Sequence, residues 1–306
     1  MRTSISEARN KAFTSDSETP VSTELAGAGR RKPRRGAGFG WSFWLATAWL
    51  GLVAFCAVFA NLLPIQDPLA PMVASRLTPP SAENLLGTDG LGRDILARLI
   101  HGSRVSVVIA LSAVSIGMLI GGSIGVMAGY FRGRFEKIVM SMLDVILAFP
   151  WLVLLLALVA FIGQSLFAIA CAIGLLWVPA YARVARANTL AVAQREFVLA
   201  AKAMGARSPR ILLREILPNV ILPVMAYALV AMGLVIIVET ALAFLGLSVE
   251  APQPTWGGMI SEGRRHMTTT AHIALIPSLA MLFTVLSLNL VGDRLRSRFD
   301  VRGSNL

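Results

Sequence analysis

Two carboxylates lie inside long apolar stretches of the chain: Asp144 within 139–162 and Glu239 within 220–247. An ionisable side chain at membrane depth is expensive to bury, so each implies a hydrogen-bond or ion-pair partner, or contact with a transported solute. Asp144 stands a turn or two from the end of its stretch, within reach of the interface or of an Arg. Glu239 has no such exit and must face the bundle interior, a partner subunit or a solute pathway. Metal chemistry is not indicated. His101, His266 and His272 show no ligand spacing with one another or with Cys56 and Cys171. Both cysteines fall in apolar stretches as buried thiols and suggest no disulfide framework.

Two further patterns concern contact rather than reaction. Gly117, Gly121, Gly125 and Gly129 recur every four residues and put four glycines on one helix face, which lets two membrane helices approach backbone to backbone. In the polar stretch 187–219, Phe197, Ala200, Ala201 and Met204 recur at i, i+3, i+4 and i+7, one short apolar stripe. Gly205 follows as a helix stop, Pro209 opens a second helical stretch and Pro218 ends it. The stripe suits a groove on another protein; by periodicity alone, a helix lying on the membrane interface fits equally well.

The elements that carry these residues are membrane helices. Apolar residues make up 56% of the 306 and charged residues only 15%, against about 25% charged in soluble domains. Six apolar blocks, at about 41–63, 104–130, 139–162, 165–181, 220–247 and 273–291, are long enough to cross a bilayer, the fourth only just. Backbone groups in lipid must be satisfied within the segment, and the alternation of a β-barrel is absent, so the blocks read as helices. The first block follows a basic cluster as a signal peptide does, but it is too long and lacks a clear cleavage site, so it reads as retained.

The formal charge of +11 is explained by the membrane rather than by nucleic acid. With a cytoplasmic N-terminus, 22 of the 28 Lys and Arg lie inside, and only Arg76, Arg93, Arg98, Arg104, Arg264 and Arg265 lie outside. The expected organisation is a disordered basic cytoplasmic tail (1–40), a first span (41–63), an extracytoplasmic segment (64–103), a membrane domain (104–292) with a cytoplasmic loop at 182–219, and a cytoplasmic C-terminal tail (293–306). No internal repeat is evident, which argues against many secondary transporters.

The segment Glu196-Phe-Val-Leu-Ala-Ala-Lys-Ala-Met-Gly205, continuing to Arg214-Glu-Ile-Leu-Pro218-Asn219, resembles the "EAA" cytoplasmic loop of binding-protein-dependent ABC importer permeases. Ala200, Ala201, Gly205, Leu217 and Pro218 fall on that motif. Leu199 stands at its Glu and Glu215 at its Ile, while Glu196 offers an acidic group three residues upstream. Further segments resemble the C-type permeases of the dipeptide/oligopeptide branch. They are Leu86-Gly-Thr-Asp-Gly-Leu-Gly-Arg-Asp94 with Arg98-Leu99 and Gly102, Glu239-Thr-Ala-Leu-Ala-Phe-Leu-Gly246, Pro252-Gln-Pro-Thr-Trp-Gly-Gly-Met259, Glu262-Gly-Arg264, and Gly292-Asp-Arg-Leu-Arg296.

The resemblance implies an all-α, six-helix type I ABC importer permease in a prokaryotic inner membrane. It also implies a second homologous permease, two ATPase subunits and an extracytoplasmic solute-binding protein as partners. Glu196, Phe197, Ala200, Ala201, Met204, Gly205, Arg207 and Pro218 would form the coupling contact to an ATPase. The chain has no GxxxxGK[ST] phosphate loop, so ATP and Mg would be bound by the partner ATPases and no cofactor by this chain. The charge asymmetry makes a direct prediction. A single cysteine introduced at Ser208, with Cys56 and Cys171 replaced, should resist an impermeant thiol reagent in intact cells and react after permeabilisation. Labelling from outside in intact cells would overturn the topology.

Overall fold

The computed structural model describes residues 40–70 and 75–304, with burial resolved up to residue 297. The basic tail read at 1–40 therefore lies almost wholly outside the described residues. Besides a one-turn 3-10 helix at Arg264–His266, nine helices are described: α1 (Trp41–Phe59), α2 (Ile95–Phe131), α3 (Gly133–Ala148), α4 (Trp151–Ile162), α5 (Leu166–Val192), α6 (Glu196–Ala203), α7 (Ser208–Phe244), α8 (Trp256–Gly263) and α9 (His272–Ser304). Among the described residues no strand forms; Thr88 and Asp94 make one isolated bridge.

The core is the α2–α5 pair. Added Cβ atoms show how closely the two backbones approach. At Gly121 a Cβ would fall on the carbonyl oxygen of Val178, and at Gly125 on that of Ala182. At Gly117 it would meet Tyr181 at 3.0 Å, at Gly129 the Thr189 Cβ at 2.8 Å, and at Gly174 of α5 the Ile116 Cβ at 2.9 Å. All four expected glycines thus face one neighbour. The contact positions also rise together along both helices, so α2 and α5 run parallel. Tyr181, fully buried, packs at 5.2 Å against the Tyr227 ring of α7 and joins the pair to that helix. Helix α9 runs antiparallel to α7: Gly233 faces Val285, and Gly292 faces Val230 and Ala226. Helix α1 lies against α9 through Trp49, whose Nε1 donates to Thr284 Oγ1 at 3.0 Å.

Several boundaries differ from the sequence reading. The second span starts at Ile95 rather than near 104, because Asp94 caps it by accepting from the Ala97 amide at 2.8 Å. Arg98 and His101 in its first turns mask the helix from hydropathy. The fourth block does not end near 181 but continues as α5 to Val192, with Pro179 inside. Pro218 does not end a helix. Ile211–Ile216 is π-helical, and the chain passes through Pro218 and Pro223 into one continuous α7. The wider π turn absorbs the missing proline N–H and the clash of its ring.

The third block is the main correction, because it is not one helix. It divides into α3 and α4, which meet at 86°. Pro150 forces the residue before it out of the helical region, and Phe149 is extended at φ −80°, ψ 144°. Since α2 and α5 run parallel, the α3–α4 segment must return the chain across the bundle. Ion pairs place α3 at one end of α5: Asp144 with Arg183 at 2.6 Å, and Glu136 with Arg186. The 12-residue α4 then makes the return, about 18 Å of rise.

Candidate functional site

The loop that carries the apolar stripe folds as α6 followed by the start of α7. Helix α6 ends at Gly205, whose φ of +78° is a left-handed conformation that glycine adopts without strain. The stripe is divided. Val198 and Ala201 are buried and share one core cluster with Ala193, Ile211 and Ile216, so this face holds α6 onto the π-helical stretch. Phe197, Ala200 and Met204 point outward, with Met204 81% exposed. Of the four stripe residues, Ala201 therefore serves the loop's own core, and the other three form a free surface. Glu196, Gly205, Arg207 and Pro218 are exposed around it. Lys202 Nζ sits 5.3 Å from the Tyr130 ring centroid and ties α6 to the end of α2. A cleft of about 320 Å³ opens beside α6, lined by Met204, Gly205, Arg210 and Glu215 among others.

The two carboxylates have different fates. Asp144 is exposed and paired with exposed Arg183, an arrangement that contributes at most about 1 kcal/mol. Glu239 is 1% exposed, five residues before the end of α7. Its Oε1 accepts from Ser248 Oγ at 2.6 Å. Its Oε2 makes no well-formed hydrogen bond and lies against the first turn of α8, beside Thr255 and Gly257. A Cβ on Gly257 would stand 2.7 Å from that oxygen. Glu239 therefore ties the end of α7 to Ser248 in the connection to α8 and packs against the first turn of that helix.

A second charged group escaped the sequence reading. Asp89 accepts from the amides of Leu91 (2.8 Å) and Arg93 (3.0 Å) and from Arg93 Nε (2.7 Å). Glu262 of α8 accepts from Arg93 Nη2 and Arg98 Nη2, each at 3.1 Å. Arg98 Nε lies 3.4 Å from Asp89, and both guanidinium groups are almost fully buried. The cluster joins the segment before α2 to α8. The sequence marked Asp89, Arg93, Arg98 and Glu262 only as parts of separate segments of the resemblance; nothing in the spacing reveals that the distant Glu262 closes the cluster. Among the described residues no group of three or more His, Cys, Asp or Glu could hold a metal ion.

A profile of the family described as "Binding-protein-dependent transport system inner membrane component" matches residues 121–302. The chain belongs to this family. Among its relatives, the glutathione transport system permease protein GsiD of Pectobacterium atrosepticum is 40% identical over 221 residues, 72% of this chain and 73% of the relative. The di/tripeptide transport system permease protein DppC of Pseudomonas aeruginosa is 38% identical over 260 residues, 83% and 86% of the two chains. In fold, the permease resembles a chain from inward-facing structures of the MetNI methionine ABC transporter, with a TM-score of 0.55 and 17% identity over 67% of this chain and 97% of that one. The all-α importer-permease fold expected from the sequence is thus the fold observed.

Glu239 provides a test within this family member. Glu239→Gln retains an acceptor for Ser248 and should lower the stability of the purified permease by less than about 1 kcal/mol. Glu239→Leu leaves the buried Ser248 hydroxyl unpaired and should lower it by about 2–4 kcal/mol. Thermal unfolding in detergent gives the comparison, and equal stability of the two variants would refute the anchoring role.

Proposed function

We propose that this chain is one of two homologous membrane subunits of an ATP-driven importer, and that it moves di- or oligopeptides or similar peptide-like solutes delivered by an extracytoplasmic binding protein. The peptide and glutathione permeases among its relatives support the solute class. ATP and Mg belong to two partner ATPase subunits, since this chain carries no phosphate loop. Both termini and α6 face the cytoplasm, in keeping with the distribution of Lys and Arg.

The observation that carries the mechanism is the two-faced α6. Its inner face is cored against the base of α7, and Lys202 holds it to the end of α2. Its outer face presents Phe197, Ala200 and Met204 to a partner. When ATP closes the two ATPases, a push on the outer face reaches α7 and α2 together, because α6 has no independent packing to absorb it. The helices then swing between inward-open and outward-open states. Asp144 and Glu239 act in this scheme as struts, one at each end of the bundle.

Substitution of the outward face tests the mechanism. Met204→Arg puts a charge into an apolar contact and should reduce ATP-driven uptake tenfold or more. It should also release the ATPases during purification, while membrane insertion of the permease stays normal. Ala201→Arg is the poorer probe, because it disrupts the loop's own core. Normal uptake and normal ATPase retention with Met204→Arg would show that α6 is not the coupling surface.

A further inference from the structure

Helix α3 has three faces, and only one of them is buried in the protein. Leu143 is buried in a cluster with Val178 and Ala182 of α5, with Val139, Met140 and Ile146 partly buried beside it. A second face is apolar yet exposed: Phe135, Ile138, Met142 and Val145 are 42%, 61%, 67% and 59% exposed. The third face is polar and exposed, and follows the same 3-4-3 spacing one residue earlier: Arg134, Lys137, Ser141 and Asp144.

The position of α3 along α5 says what covers the apolar face. The partners Arg183 and Arg186 lie 17 and 20 residues from Leu166, the first residue of α5, or about 25–30 Å along the helix. That is the thickness of a bilayer's hydrocarbon core, so α3 sits at one of its edges. Helix α4, which returns the chain through the core, meets α3 at 86°, so α3 lies in the plane of the membrane. The turn into α3 is made by two successive left-handed residues, Arg132 (φ 53°) and Gly133 (φ 67°). Exposed aromatic residues bracket the helix, Phe131 before it and Phe149 and Trp151 after it, as at membrane interfaces.

Charge completes the picture. Glu136 and Asp144 are taken up by Arg186 and Arg183. Arg132, Arg134 and Lys137 are exposed and have no ion-pair partner among the described residues. We infer that α3 is an interfacial helix that seats its Phe135–Ile138–Met142–Val145 face in the acyl boundary and gathers anionic phospholipid headgroups at Arg132, Arg134 and Lys137. A strongly amphipathic helix with cations beside its apolar face binds anionic membrane surfaces in this way. The lipid beneath α3 then bears on the α5 end to which the two ion pairs fasten it.

The test uses the full chain in phosphatidylcholine vesicles with or without phosphatidylglycerol. Fluorophores are placed singly at Ile138→Cys and Val145→Cys in a background lacking Cys56 and Cys171. Quenching by lipids brominated at graded depths should put both probes at the same depth, just below the headgroups. If α3 instead stood upright as part of a span, the seven-residue separation would place them about 10 Å apart in depth, and the inference would fail. It would fail equally if neither probe were quenched and both cross-linked to a second permease. Brominated phosphatidylglycerol should be preferred over brominated phosphatidylcholine at Ile138→Cys by about fivefold or more. Arg134→Gln with Lys137→Gln should remove most of that preference without changing the depth. A preference that is absent from the start, or unchanged in the double variant, would overturn the headgroup assignment.

Discussion

The contact between α2 and α5 is made by backbone. At Gly121 and Gly125 the two helices come so close that a single methyl group would strike a carbonyl oxygen of the neighbour. In lipid there is no general hydrophobic force between helices, and association rests on close packing and on whatever hydrogen bonds proximity allows. A small-residue face is therefore one of the few ways a sequence can dictate which helix lies against which. Here that face spans 13 residues of α2, from Gly117 to Gly129, with Gly174 answering from α5.

Much of the architecture follows from the parallel sense of that pair. Two parallel helices that are neighbours in space need a returning segment between them, and α3 with α4 supplies it. The return is broken at Phe149–Pro150, so one part crosses and the other lies flat. At the end of α5 reached by Arg183 and Arg186, two ion pairs hold the flat part, and Lys202 on Tyr130 holds α6 to the end of α2. Toward the other end, Ser106 of α2 accepts from the Trp256 amide of α8, Glu239 of α7 holds Ser248 in the connection before that short helix, and Glu262 fastens the helix to the buried arginines. The rigid pair thus carries the exposed face of α6 at one end and a clasp toward the other.

The features that the sequence announced were those with a local cause. Gly117, Gly121, Gly125 and Gly129 are legible because four-residue spacing is a property of the helix itself, and Gly205 because a left-handed residue ends one. The six apolar blocks were legible because lipid demands them, although the third proved to be two helices. Phe149–Pro150 was visible in that block, but a proline in a membrane helix can kink it slightly or break it, and packing against α5 decides which. The stripe on α6 could not be divided in advance, since Ala201 faces inward only because Ile211 and Ile216 are presented by a π-helical stretch that propensity does not announce. Glu262 was the least legible residue: its partners Arg93 and Arg98 are more than 160 positions away in sequence.

The parallel pairing of α2 and α5 is tested most directly by disulfide formation in the membrane, with Cys56 and Cys171 replaced. Built Cβ atoms bring Ile116 and Gly174 to 2.9 Å and Gly129 and Thr189 to 2.8 Å, close enough that slight relaxation reaches disulfide geometry. The pairs Ile116→Cys with Gly174→Cys, and Gly129→Cys with Thr189→Cys, should both cross-link on mild oxidation. The exchanged pairs, Ile116→Cys with Thr189→Cys and Gly129→Cys with Gly174→Cys, should not, since residues 174 and 189 lie about 22 Å apart along α5. Cross-linking of the exchanged pairs in place of the first two would mean that the helices run antiparallel and would contradict the architecture built on them.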